Sequence, residues 1–308
     1  MNQAQDRIYA RRFGVFNHFL YSCCCRLDRP TQAENSKIWN GLVDGFDVER
    51  VAKDLHDVGA GYYCITLMQG RKYLLAPNET YDAIVGAEAG VLCARRDLVA
   101  DLARALAAYD IDLYLYFTGD GPYKDADANE KFGFPENQKN VPLSFSEKWA
   151  SVLREYAVRY GDRVKGWWID GCYDFFGYDQ EKLRPYYRAI KEGNPNAMSA
   201  MNNGVKEDGL HKWFEGDELT CGECNDFTVI PPSRDIEGAQ AHILAPLGLS
   251  PDGSVWGHWN QPGCQIPGRE LAAYAHRLHD AGGVLTVDIR INPDSTFDPA
   301  QLEALSMI

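Results

Sequence analysis

The sequence predicts an α/β chain folded as a (β/α)8, TIM-type barrel, a single domain over residues 1–308 that is irregular around strands 5–7. Three observations carry that expectation. Short β-branched or aromatic runs alternate with amphipathic helical stretches along most of the 308 residues, which implies parallel strands joined by right-handed crossovers. The runs number eight, as in a closed barrel of about this length. The runs also end on polar or charged residues although their bodies are apolar, the pattern of a sheet whose C-terminal rim meets a ligand.

The first strand is read at Phe13–Phe16. A helix near Val48–Val58 leads to the second, Tyr62–Leu67, and a long helix over Asp97–Tyr109 to the third, Leu113–Phe117. A helix near Ser146–Tyr160 precedes the fourth strand, Gly166–Ile169, and one over Gln180–Glu192 precedes the fifth, Ala197–Met201. The sixth and seventh are weakly marked, at Leu219–Cys221 and Val255–Trp259, within a Gly- and Pro-rich tract from Asn202 to Gln265. A helix over Arg269–Ala281 leads to the eighth strand, Val284–Ile289. No linker, internal repeat or low-complexity tract divides the chain.

Composition narrows the function. The hydrophobic share of 45% supports one large core, and no run of eighteen apolar residues marks a membrane span. Met1–Arg12 lacks the apolar stretch of a signal peptide, so a cytoplasmic location is expected. A net charge of −13 argues against nucleic acid and anionic membrane surfaces and suits a neutral small molecule. Nine cysteines, an odd number, fit reduced thiols better than a disulfide framework. Cys23-Cys24-Cys25 and the Cys221-x-x-Cys224 pair have no second pair at zinc spacing, and no H-x-H or H-E-x-x-H run is present, so neither a metal nor another cofactor is expected. The composition allows a homo-oligomer.

The strand ends form the candidate site: Asn17 and His18, Thr66, Thr118 and Asp120, Asp170, Asn202 and Asn203, Glu223, Trp256 and His258, and Asp288 and Arg290. The most telling is Gly166-Trp167-Trp168-Ile169-Asp170-Gly171, an apolar strand ending on a carboxylate. Its tryptophans alternate across the strand, so one of them faces the barrel interior, where an aromatic suits a sugar. Asp174, four residues beyond the strand, belongs to the following loop or helix start.

The sequence resembles the α-L-fucosidase family of retaining glycoside hydrolases in nine pieces that occur in order. Phe13-Gly14-Val15-Phe16-Asn17-His18 resembles the opening F-G-I-F-x-H strand. Phe46-Asp47 with Gly59-Ala60-Gly61-Tyr62-Tyr63 and Ile65-Thr66 resembles the F-D…A-G-A-x-Y…T segment. Arg96-Asp97-Leu98-Val99 resembles a helix start, and Leu113–Phe117 the strand after it. Trp167-Trp168-Ile169-Asp170-Gly171 resembles the nucleophile's W-x-D-G strand. Asn202-Asn203, Gly216-Asp217 with Thr220 and Glu223, Trp256-Gly257-His258, and Gly282–Asp288 with Asn292-Pro293 complete the series. Two departures stand out. Leu67-Met68-Gln69-Gly70-Arg71 replaces the family's Lys-His-His-Asp-Gly run, and the residues end with the barrel, without the family's common C-terminal β-sandwich.

The resemblance implies a retaining exo-glycosidase releasing a terminal fucose or related sugar from a small glycoside, with Asp170 as nucleophile. Such chemistry needs a second carboxyl group about 5–5.5 Å away that donates a proton to the leaving oxygen and later takes one from water. Glu237 stands where the family's W-E acid would fall, and Glu223 at the sixth strand's end is its rival. The sugar-binding candidates are His18, Asn17, Gln69, Trp168, Asn202, Trp256, His258 and Arg290. The alternative is a carbohydrate-binding barrel that has lost hydrolytic activity.

Overall fold

The computed structural model describes residues 1–25, 28–206, 210–251 and 257–308. In chain order its elements are α1 (Gln3–Arg11), β1 (Phe13–Asn17), α2 (Tyr21–Cys24), α3 (Gln32–Asp44), α4 (Val48–Asp57), β2 (Tyr62–Thr66), α5 (Glu79–Val85), α6 (Leu98–Ala107) and β3 (Asp112–Thr118). After these come α7 (Ala126–Phe132), α8 (Leu143–Tyr160), β4 (Val164–Asp170), α9 (Gln180–Gly193) and β5 (Met198–Met201). A short hairpin of β6 (Asp235–Ile236) and β7 (Ala239–Gln240) then precedes β8 (His242–Pro246), α10 (Gly268–Asp280), β9 (Val284–Asp288) and α11 (Pro299–Leu305). No helix among the described residues is long and apolar enough to cross a membrane.

Local chemistry explains where the helices start. Asp47, Asp97 and Asp179 each cap a helix by accepting the backbone N–H three residues on, in α4, α6 and α9. Apolar residues then recur at helical spacing: Val48, Val51, Ala52 and Leu55 in α4, and Leu98, Leu102, Ala105 and Leu106 in α6, are all buried.

Seven strands form one sheet in the order β5-β4-β3-β2-β1-β9-β8, and every pairing in it is parallel. Residues 218–224 run between the two outer strands. Leu219 N donates to Ser199 O of β5 at 3.3 Å, Leu244 N of β8 to Gly222 O at 2.8 Å, and Cys224 N to Leu244 O at 2.9 Å. The curled sheet with this eighth segment is consistent with a (β/α)8 barrel. The segment makes only isolated bridges, Leu219 to Gln240 and Glu223 to Leu244, rather than a regular ladder. Gly222 explains part of that: its φ is +62°, and a Cβ there would stand 1.7 Å from His242 O, so the backbones touch where a side chain would separate them.

Two readings need correction. The strand that follows this segment is β8, not Val255–Trp259. Residues 255 and 256 lie outside the described residues, and 257–259 form a loop in which His258 N donates to Gly248 O at 3.0 Å. Ala241-His242-Ile243-Leu244-Ala245-Pro246 lacks the β-branched signature of a strand, yet all its residues are buried against β9 and the 218–224 segment. The stretch Met1–Arg12, assigned no element in the sequence, holds α1, which places Ile8 under the barrel.

Strand parity separates two cores. Val15, Ile65, Leu115 and Trp167 pack outward against the helices, whereas Phe16, Cys64, Tyr116 and Trp168 pack inward with Leu244 and Ile8. Glycine makes room for the interior rings. A Cβ at Gly14 would fall 2.3 Å from the Tyr62 ring, and one at Gly166 would fall 2.4 Å from that of Tyr114. These rings fill much of the interior below, and a pocket opens above them at the C-terminal rim.

Candidate active site

Asp170 is the last residue of β4, and four neutral side chains point at its carboxylate. Tyr116 donates to Oδ2 at 2.5 Å and Gln69 Nε2 to the same oxygen at 3.4 Å. Asn202 Nδ2 donates to Oδ1 at 2.7 Å, and the Tyr173 hydroxyl lies 3.4 Å from that oxygen. The phenol of Tyr116 keeps its proton because burial, and then the Asp170 charge, push it far up. Among the described residues Asp170 has no ion pair.

Asn202 also joins Asp170 to Glu223. The same Nδ2 donates to Glu223 Oε2 at 2.5 Å, so the sum of its two bonds, about 5 Å, is the most that can separate the two carboxyl oxygens. Glu223 is pushed up to about 7, first by burial and then by the charge of Asp170, against the opposing pull of the Asn202 amide and His18. Asp120 behind Asp170 is also raised to about 7 by burial, with Thr118 as its hydrogen-bond donor.

The pocket over these groups holds about 220 Å³. His18, Gln69, Tyr173 and Asn202 supply its polar side, and Phe16, Tyr116, Trp168, Leu244 and Trp259 its apolar wall. His18 is oriented by Asp288, whose Oδ2 lies 2.9 Å from Nδ1, and this leaves Nε2 with no hydrogen-bond partner among the described residues. Trp259 meets the His18 ring edge-on, with centroids 5.7 Å apart.

Of the residues singled out in sequence, Asp170, Glu223, His18, Gln69, Trp168 and Asn202 come together here. Four others do not join them. Glu237 is exposed at the tip of the β6–β7 hairpin with φ +54°, ahead of β8 and so at the N-terminal end of the barrel, where Gln5 of α1 donates to Gly238 O at 2.8 Å. Spacing along the chain misled because the backbone returns to the opposite end before β8 begins. Asn17 is buried as a tie between β1 and the turn after β9, donating to Ile289 O at 2.6 Å. His258 is exposed, and Arg290 Nε donates to Asn292 Oδ1 at 3.1 Å; neither lines the pocket. Trp256 lies outside the described residues.

Tyr116, Tyr173, Phe16, Leu244 and Trp259 are pocket residues that the sequence reading did not single out. Parity was the available signal for Tyr116, since it pairs in register with Trp168 and shares its inward face. Arg71 turns away from the pocket to Asp28 at 2.7 Å and Asp125 at 2.9 Å, so of the pair Gln69 and Arg71 only the first reaches Asp170. The two cysteines of C-x-x-C diverge: Cys221 packs inside the barrel and Cys224 against the helices.

No protein-family model and no curated protein matches the chain. Solved structures do. A GH29 α-L-fucosidase from Bacteroides thetaiotaomicron is 17% identical over 99% of this chain and 72% of its own, with a TM-score of 0.67. An α-L-fucosidase in complex with Fuca(1,6)GlcNAc is 18% identical over 99% of this chain and 97% of its own, with a TM-score of 0.66. An endo-fucoidan hydrolase from glycoside hydrolase family 107 is 16% identical over 98% of this chain and 53% of its own, with a TM-score of 0.71. This chain shares the fold of those glycoside hydrolase domains.

Proposed function

We propose that the protein is a retaining exo-glycoside hydrolase with Asp170 as nucleophile and Glu223 as acid/base, releasing a terminal fucose or related sugar from a small glycoside. The observation that carries this reading is the Asn202 bridge, which keeps the two carboxyl groups near the spacing of about 5–5.5 Å that retention requires. Their environments suit different roles. Among the described residues Asp170 accepts only from neutral donors, and it keeps a lone pair for attack, while the raised Glu223 holds a proton near neutrality.

In the first step an Asp170 oxygen attacks the anomeric carbon. The glycosidic C–O bond breaks, its electron pair goes to the leaving oxygen, and that oxygen takes the Glu223 proton. In the second step the Glu223 carboxylate removes a proton from water, the water oxygen attacks the same carbon, and Asp170 leaves as carboxylate. The His18 ring and the Gln69 amide face the space for the sugar's hydroxyls, and Phe16, Leu244 and Trp259 offer an apolar wall. A pocket of about 220 Å³ is smaller than the pockets that hold drug-sized ligands and suits one sugar ring.

A panel of nitrophenyl glycosides, including α-L-fucoside, β-D-galactoside and β-L-arabinoside, tests the proposal. Turnover of at least one of them, with retention at the anomeric carbon by NMR, is expected. Tight binding of a free sugar without turnover of any of them would replace the hydrolase with a carbohydrate-binding barrel.

A further inference from the structure

Beyond the pocket, the aromatic residues that follow Asp170 form a feature that the two-step chemistry does not use. Tyr173 lines the pocket beside Asp170, and burial, then the charges of Asp170 and Glu223, push its phenol up, so the ring stands near both carboxyl groups. Phe175 stacks on that ring, with centroids 4.9 Å apart and planes 22° from parallel. Phe175 is nevertheless 64% exposed, the most exposed large apolar side chain among the described residues. An isolated exposed apolar residue needs no explanation, but this one continues the wall of the pocket outward.

It is also held rigidly. Phe176 is buried and meets Phe175 edge-on at 4.6 Å. The turn Asp174–Phe176 is tied down on two sides: Asn203 Oδ1 accepts from Asp174 N at 2.8 Å, and Phe176 O accepts from Val141 N at 2.9 Å. Gly204 lets the next loop approach, since a Cβ there would lie 3.2 Å from the Tyr173 ring. A ring fixed in this way loses little conformational freedom on binding.

We infer that Tyr173 and Phe175 form the subsite for the leaving group, taking a moiety with a flat apolar face, namely the face of a second sugar ring or an aryl group. The inference rests on the glycosidase reading. With the terminal sugar in the pocket, the scissile oxygen must lie beside Glu223, and the rest of the substrate must pass Tyr173 toward solvent, where Phe175 is. By microscopic reversibility the same surface receives an acceptor sugar in the second step.

The experiment compares Phe175→Ala with the native protein on three probes: α-L-fucosyl fluoride, nitrophenyl α-L-fucoside and Fuca(1,6)GlcNAc. The fluoride has no ring beyond the bond to be broken. The expected result is a fall of roughly five- to tenfold in the ratio of kcat/KM on the disaccharide or aryl substrate to that on the fluoride. A matching fall in transfer to added N-acetylglucosamine, relative to hydrolysis, is expected as well. Turnover of the fluoride by both proteins with an unchanged ratio overturns the subsite and leaves the glycosidase reading standing. Absence of turnover on all three probes and on the wider glycoside panel removes the glycosidase reading and the leaving-group subsite with it. Phe175 is mostly exposed, so a native-like melting temperature is expected for the variant and shows that the comparison is between folded proteins.

Discussion

The two ends of the barrel treat their carboxylates in opposite ways. At the N-terminal end Asp112, the first residue of β3, is only 3% exposed and is neutralised by cations. Arg7 Nε donates to it at 2.6 Å and Arg11 Nε at 3.1 Å, while Arg11 also makes two bonds of 2.8 Å to Asp110. At the C-terminal end Asp170 and Glu223 stand close together, and their hydrogen-bond partners among the described residues are neutral: Tyr116, Asn202, Gln69 and Tyr173. Pairing with guanidinium spends the charge of a carboxylate on holding strands and helix together. Amide and phenol donors orient a carboxylate without cancelling its charge, so it keeps the capacity to attack a carbon or move a proton. The same residue type thus holds strands and helix together at one end and, in the proposed function, carries the chemistry at the other.

The largest expected effect breaks the contrast at the C-terminal end. Asp170→Gly is expected to lower kcat on an activated aryl glycoside by about 10⁴-fold or more. Azide should restore part of the rate and yield a glycosyl azide of inverted configuration, identified by NMR. Restoration absent at every azide concentration would argue against Asp170 as the nucleophile.

Next comes Glu223→Gln, with an expected loss of roughly 10²–10⁴-fold on substrates with poor leaving groups and a smaller loss on good ones. Because the acid must carry its proton, and Glu223 is raised to about 7, kcat/KM of the native protein should fall as pH rises through about 7. A pH–rate profile of the variant should lack that alkaline limb. Glu237→Gln, at the other end of the barrel, should leave both rate and profile unchanged; a comparable loss there would reverse the assignment.

At the N-terminal end, Asp112→Asn should cost roughly 2–3 kcal/mol of stability in a denaturant titration, because Arg7 and Arg11 lose their partner but stay partly solvated. Its kcat/KM should match the native value, which separates the two ends experimentally.

The smallest effect is a dependence of stability on pH. Glu223 and Asp120 have ordinary values of 4.5 and 3.8 and are both raised to about 7 in the folded chain. The folded state therefore holds their protons more tightly than the unfolded one. The stability this provides is fully present below about pH 4 and is lost as pH rises through about 7. Scanning calorimetry should show a melting temperature that declines between pH 5 and 8, and Asp120→Asn should flatten the decline.

Much of the regular half was legible before any coordinates. Val48, Val51 and Leu55, or Leu98, Leu102 and Leu106, announce their helices by spacing alone, and Asp47 and Asp97 mark where they begin. Tyr62–Thr66 and Val164–Asp170 are strands because β-branched and aromatic residues fill them. Residues 202–267 were not legible in the same way. Leu219–Cys221 is too short and too irregular to form a regular ladder, and β8 carries a histidine, an alanine and a terminal proline, with Ile243 its one β-branched residue. Those positions are stable only because neighbours on both sides accept their backbone bonds, which is tertiary information.

By itself, the sequence determined the alternation of strands and helices, that one of Trp167 and Trp168 faces inward, and the position of Asp170 at a strand's end, since each follows from local period and residue type. The tertiary structure alone decided which glutamate meets it. Glu223 and Glu237 are similar as sequence, fourteen residues apart in a loop-rich tract. What separates them is that the chain between them returns to the opposite end of the barrel, and that the amide of Asn202 reaches Asp170 and Glu223 together. A long-range contact of that kind depends on how strands stack around the sheet, and no local pattern encodes it.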